Sequence, residues 1–172
     1  ATIAGFNIAG DNVAEAGHHI AMQIAAMNPM AVDGNSIAQD VKDHELAIAK
    51  EKTVAELIQK AVEVELKKAG INPNLVDSDD HIASNITKGW LTEEEANKAR
   101  EIKVSAAEEK AKTIQDNMVN NIAQGRLNKF IKENTLMGQE YIMDSKMTVA
   151  DFMKQIDSKL VCTGFYRLQL GA

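Results

Sequence analysis

The chain has 172 residues, a formal net charge of −6, 45% hydrophobic and 26% charged side chains, two prolines and a single cysteine. That length allows one large domain or a compact domain with an appendage, and it is enough to bury a core. The Lys and Arg residues are scattered among Glu and Asp, which argues against a nucleic-acid partner and its usual basic stripe, and the absence of any run of about 18 apolar residues argues against a membrane-spanning helix.

Cys162 has no partner for an internal disulfide, which suits a reducing compartment, so a cytoplasmic location is expected. The chain opens at Ala1 without a Met or the features of a signal peptide. It enters a strand-like segment at once, which reads as a boundary within a longer protein.

In chain order, residues 2–9 form the first predicted strand, with Ala4, Phe6 and Ile8 on one face and Ile3 on the other. Gly10-Asp11-Asn12 is a turn and helix start. Apolar residues at Val13, Ala16, Ile20, Ile24 and Met27 mark one face of an amphipathic helix that ends at Asn28-Pro29. Ser36 and Gln39 fit a capping box at the start of a helix over 36–69, which Gly70 and Asn72-Pro73 terminate. Such a helix would be roughly 50 Å long. Its stripe is Val54, Leu57, Ile58, Ala61 and Leu66.

A broken stretch follows, with a short helix near 81–87 and then Trp90. Trp90 is expected to cover the tip between two helical arms, the other reading being an exposed recognition anchor. Thr92 to Glu95 is another capping signature. It opens a helical pattern to about 133, interrupted near Asp116-Asn117, with a stripe at Ala99, Ile102, Ala106, Ile114, Met118, Ile122 and Phe130. Residues 139–143 read as a strand. Thr148 caps a short helix, and 160–170 are a final strand, with Cys162, Tyr166, Leu168 and Leu170 on one face and Val161, Thr163, Phe165, Arg167 and Gln169 on the other.

These elements predict an α+β fold. A small three-stranded sheet with flanking helices is built from both ends of the chain, and a long antiparallel helical hairpin is inserted between them. The expected division is a core subdomain over 1–35 and 118–172 and a coiled-coil-like insertion over 36–117.

Chemistry is sparse. No phosphate-binding loop and no G-x-S-x-G motif is present, so neither a nucleotide cofactor nor an enzymatic nucleophile is expected. His18 and His19 point about 100° apart on a helix and cannot share a metal through that geometry alone; one half-buried and one solvated ring is expected. Asp77, Asp79, Asp80 and His81 lack the Gly and Glu positions of a calcium loop and read as a favourable helix N-terminus. No cofactor and no metal is expected. The methionines at 22, 27, 30, 137, 143, 147 and 153 are expected mainly to fill core gaps.

The segment Ile122 to Leu136 (IAQGRLNKFIKENTL), the following Gly138-Gln139-Glu140-Tyr141-Ile142, the stretch Lys146 to Val149, the closing Thr163 to Leu168 (TGFYRL) and the front helix His19 to Ala26 (HIAMQIAA) occur in this order. Together they resemble elongation factor Ts, in the second half of its core or dimerisation domain. The resemblance implies a guanine-nucleotide exchange factor that acts by protein binding on elongation factor Tu, and a core that can also form a homodimer. It implies that Ile142 and Met143, in the turn after the middle strand, lie near the Tu interface, with His19, Met22 and Gln23 of the front helix beside them. The family's Thr-Asp-Phe motif does not occur in these residues, nor does a match to its N-terminal Tu-binding domain, so docking on Tu with weak exchange is expected. The other reading is a coiled-coil scaffold for an unrelated assembly.

Overall fold

A computed structural model describes residues 1–169 of the chain. Two compact units are present: one contains Ala1–Leu46 and the chain from Gly125 onward, and the other contains Ala47–Gln124.

The first unit opens with strand β1 (Thr2–Phe6) and closes with β4 (Cys162–Arg167), which pair antiparallel. Their ladder continues just before β1, where the Ala1 amine donates to the Leu168 carbonyl at 2.7 Å. Ala4, Phe6 and Ile8 pack towards the core and Ile3 faces solvent, as the alternation predicts.

The last strand departs from strict alternation. Register shifts between Gly5 and Phe6, so that Gly5 pairs with Gly164 and Phe6 with Cys162. This bulge turns the strand over. Cys162 and Phe165 therefore both join the core, while Tyr166 and Leu168 are exposed at 79% and 73%. The expected sharing of one face by Cys162 and Tyr166 is corrected accordingly. Leu170, assigned to the same face, lies outside the described residues.

Helix α1 (Asp11–Met27) buries Ala16, Ile20, Gln23 and Ile24. It ends at Asn28, whose left-handed backbone (φ 45°) accepts the stop that Pro29 requires. Helix α2 (Gln39–Lys68) starts three residues later than predicted. Ser36 does not cap it, because Gly34–Ser36 is a single 3-10 turn in which Asp33 accepts hydrogen bonds from the Ser36 amide and hydroxyl.

Strands β2 (Glu140–Tyr141) and β3 (Asp144–Thr148) form a second antiparallel pair. The α+β class therefore holds, but among the described residues the strands form two separate two-stranded ribbons in place of one three-stranded sheet. The predicted middle strand makes a tight hairpin with its own successor, and β3 carries no strand signal in sequence because DSKMT lacks apolar alternation.

Helix α6 (Val149–Ile156) follows directly. Its capping box is complete: the Thr148 hydroxyl accepts from the Asp151 amide, and the Asp151 carboxylate accepts from the Thr148 amide and hydroxyl. These bonds hold the Asp151 carboxyl below its ordinary range, the Thr148 hydroxyl contributing most. A depressed folded-state value stabilises above the unfolded-state range and is lost as pH falls through the folded value. Thr148→Ala is expected to cost about 1 kcal/mol in urea denaturation at neutral pH, with the difference from the parent narrowing under acid.

The core of this unit gathers Ile20, Ile24, Leu136, Tyr141, Val149, Met153, Leu160 and Cys162. Burial raises the Cys162 thiol above its usual range, so the side chain behaves as a small hydrophobe.

The second unit has its own cluster, made by Leu66 near the end of α2 and Ile71 just after it, Val76 and Ile82 around α3 (Asp79–Thr87), and Leu91, Ala96 and Ala99 around the start of α4 (Glu93–Thr113). The Lys103 ammonium donates to the Val76 carbonyl beside this cluster. The predicted capping box at Thr92 and Glu95 forms. Trp90 corrects its expectation: it is 64% exposed, with the Lys88 ammonium 5.1 Å from its ring centroid. The apolar tip is closed by aliphatic side chains instead.

Helix α4 stops at Ile114, whose backbone is extended, and α5 (Asp116–Asn134) begins two residues on. The interruption resets the helical phase. Val119, Ala123 and Leu127 are buried, whereas Met118 and Ile122 of the predicted stripe are exposed at 38% and 37%.

Candidate functional site

The five residues singled out from the sequence fall on α1 and on the turn between β2 and β3. That turn is Ile142-Met143, a two-residue connection between paired Tyr141 and Asp144. Two-residue hairpins favour turns with positive φ and residues such as Asn-Gly. Neither Ile142 nor Met143 has a positive φ, and both are large and apolar. They are nevertheless exposed, at 38% and 55%. Local propensity does not account for them, so the turn must be imposed from outside.

Gln23 imposes it. This side chain is fully buried, and its Oε1 accepts the Ile142 amide at 2.8 Å. Its Nε2 donates to the Glu140 carbonyl at 3.1 Å and to Gln139 Oε1 at 3.3 Å. Gln139, itself buried, donates onward to the carbonyls of Glu133 at 3.1 Å and Met27 at 3.4 Å. Two amide side chains thus tie α1, the exit of α5 and the hairpin into one satisfied network. Gln23 has no exposed surface, and its contacts here are with the turn and with Gln139.

His19 supports the same hairpin from the next turn of α1. Its Nδ1 lies 2.7 Å from the Tyr141 hydroxyl. Tyr141 stacks on Phe152 with centroids 4.2 Å apart and planes at 10°, and His19 stacks on the same Phe152 at 5.9 Å. Burial raises the Tyr141 phenol above its ordinary range, so it stays protonated. His18 is exposed and His19 half-buried, as expected. Met22 is half-buried on α1. Met137, Met147 and Met153 pack in the core, while Met27, Met30 and Met143 are each about half exposed.

Sequence reasoning missed Gln139 and Tyr141. A lone Gln in a strand-like run carries no signal of burial, and Tyr141 read only as a strand residue. Among the described residues no group of three or more His, Cys, Asp or Glu converges, and no helix is long and apolar enough to cross a membrane.

The fold and the site together define an α+β protein that presents a firmly held apolar turn at its surface. A family model described as elongation factor TS matches residues 2–77 and 60–172. Curated proteins named elongation factor Ts match nearly the whole chain. The one from Parabacteroides distasonis is 52% identical over 171 residues, covering 99% of this chain and 51% of the relative. That from Bacteroides thetaiotaomicron is 48% identical with the same coverage, and that from Flavobacterium psychrophilum is 30% identical over 99% of this chain and 42% of the relative. The chain therefore belongs to the elongation factor Ts family of translation elongation factors, and it spans about half the length of the curated relatives it matches.

Proposed function

We propose that this chain binds elongation factor Tu in the cytoplasm and assists GDP/GTP exchange on it, acting by docking and not by chemistry of its own. The observation that carries this reading is the Ile142-Met143 turn: two apolar side chains held at the surface by a buried amide network, in a chain of the elongation factor Ts family. Apolar anchors on a preorganised backbone cost little ordering entropy when they are buried. His19 and Met22 flank the turn on α1, and Gln23 holds it.

The test is capture of purified Tu on the immobilised chain, followed by GDP-release kinetics. Binding with weak release is the expected result, because the Thr-Asp-Phe sequence is not among these residues. Failure to capture Tu would refute the docking reading, and fast catalytic release would refute the weak-exchange part of it. Met143→Asp places a charge at the centre of the proposed contact and is expected to weaken Tu binding about tenfold or more by calorimetry, while the melting temperature stays close to that of the parent.

A further inference from the structure

A cleft of about 270 Å³ lies between α1 and α6. Its floor is apolar: Ala16 is almost fully buried, and Phe152 and Ile156 are half-buried. Its rim carries the exposed Glu15 carboxylate and the amides of Asn12 and Gln155. His19, stacked on Phe152, lines the cleft on the side that also holds the β2–β3 hairpin.

The α1 wall of the cleft is acidic, whereas α6 carries both Asp151 and Lys154, neither of which lines the cleft. No Lys or Arg occurs before Lys42, so α1 carries Asp11 and Glu15 without a cation. Among the described residues Glu15 makes no ion pair. A flat aromatic wall, an aliphatic floor and an unpaired carboxylate at the rim are complementary to one common side chain. A guanidinium is planar, stacks on aromatic rings, is weakly hydrated for a cation and pairs with a carboxylate through a fixed fork of donors. Its aliphatic stem would lie against Ala16 and Ile156. A lysine ammonium would satisfy the carboxylate but gain less from the ring faces.

We propose that the α1–α6 cleft receives an arginine side chain of the protein partner, next to the contact made by Ile142 and Met143. This rests on the reading that the chain docks on Tu. The cleft would fix the orientation of docking, since the turn alone offers apolar contact without direction.

The experiment has two arms on the full 172-residue chain. In the first, Tu affinity is measured by calorimetry for the parent, Glu15→Gln, Glu15→Lys and Ser158→Lys. Glu15→Gln and Ser158→Lys change net charge equally, but Ser158 is an exposed residue outside the cleft. Weakening of about threefold for Glu15→Gln and about tenfold or more for Glu15→Lys, with Ser158→Lys near the parent, is expected. Equal effects of Glu15→Gln and Ser158→Lys, or no effect of either Glu15 variant, would overturn the proposal. In the second arm, N-acetyl-arginine methylamide is titrated into the chain and followed by backbone amide NMR. Shifts confined to the region of Asn12, Glu15, His19, Phe152 and Gln155, and lost in Glu15→Gln, support the cleft; shifts elsewhere or none count against it. A parent chain that does not bind Tu overturns the docking reading, and the second arm then decides the cleft alone.

Discussion

Gln23→Leu is expected to lower the unfolding free energy by about 3 kcal/mol, read from urea denaturation. The volumes are similar, so no large cavity opens. The cost comes from three groups that lose their partner: the buried Gln139 Oε1 and the part-buried Ile142 amide and Glu140 carbonyl. Each buried polar group left unsatisfied costs about 1–3 kcal/mol, partly offset by burying an apolar side chain. Among the described residues no buried side-chain N or O atom lacks a hydrogen-bond partner, so the parent has no such penalty to begin with. The double variant Gln23→Leu, Gln139→Leu should cost less than the sum of the two single variants, because each single change strands the other amide. Tu binding should fall in Gln23→Leu even under conditions where the chain remains folded, since the Ile142-Met143 turn loses the bond that fixes it. A variant as stable as the parent, with unchanged Tu affinity, would mean that the turn holds its shape without Gln23.

The same network explains why part of the site was legible from sequence and part was not. The spacing of Ile20 and Ile24 showed the buried face of α1, and Gln23 lies on that face by helical geometry. Its burial as a polar residue depends on Gln139, which is 116 residues away, and no local pattern encodes that pairing. The strand character of both chain ends was readable from apolar alternation, which is regular in the first strand and interrupted in the last. The bulge at Gly5 and Gly164 was not, and a one-residue shift sends the next side chain to the opposite face. The stripe on α5 failed for a related reason. The two-residue break at Ile114-Gln115 moves the phase by one position, from Met118 and Ile122 to Val119 and Ala123. Periodicity survives within an element and is lost across an irregularity that the periodicity itself does not reveal.

Gly138→Ala is expected to destabilise the chain by about 3 kcal/mol, at the upper end of ordinary overpacking. An added Cβ would lie 2.5 Å from the Lys132 carbonyl oxygen, 2.8 Å from Lys132 Cα and 2.9 Å from Thr135 Oγ1. Two of these are atoms of the last turn of α5, which cannot rotate away as a side chain can. The surrounding bonds leave little slack: the amides of Gly138 and Gln139 both donate to the Thr135 carbonyl at 3.1 Å, and the Thr135 hydroxyl donates to the Ile131 carbonyl at 2.8 Å. Relief requires the chain after α5 to move outward, and Gln139 would move with it, away from the Met27 and Glu133 carbonyls that it satisfies. Gly125→Ala supplies the contrast. It lies within α5 with nothing within 4 Å of a new Cβ, so the same substitution there should stabilise by about 0.5–1 kcal/mol through helix propensity. Opposite signs for one chemical change in two positions of neighbouring structure, measured side by side in urea, would locate the constraint at the exit of α5. Equal signs would mean that this exit can yield, and the geometry of the Ile142-Met143 turn would then rest on Gln23 alone.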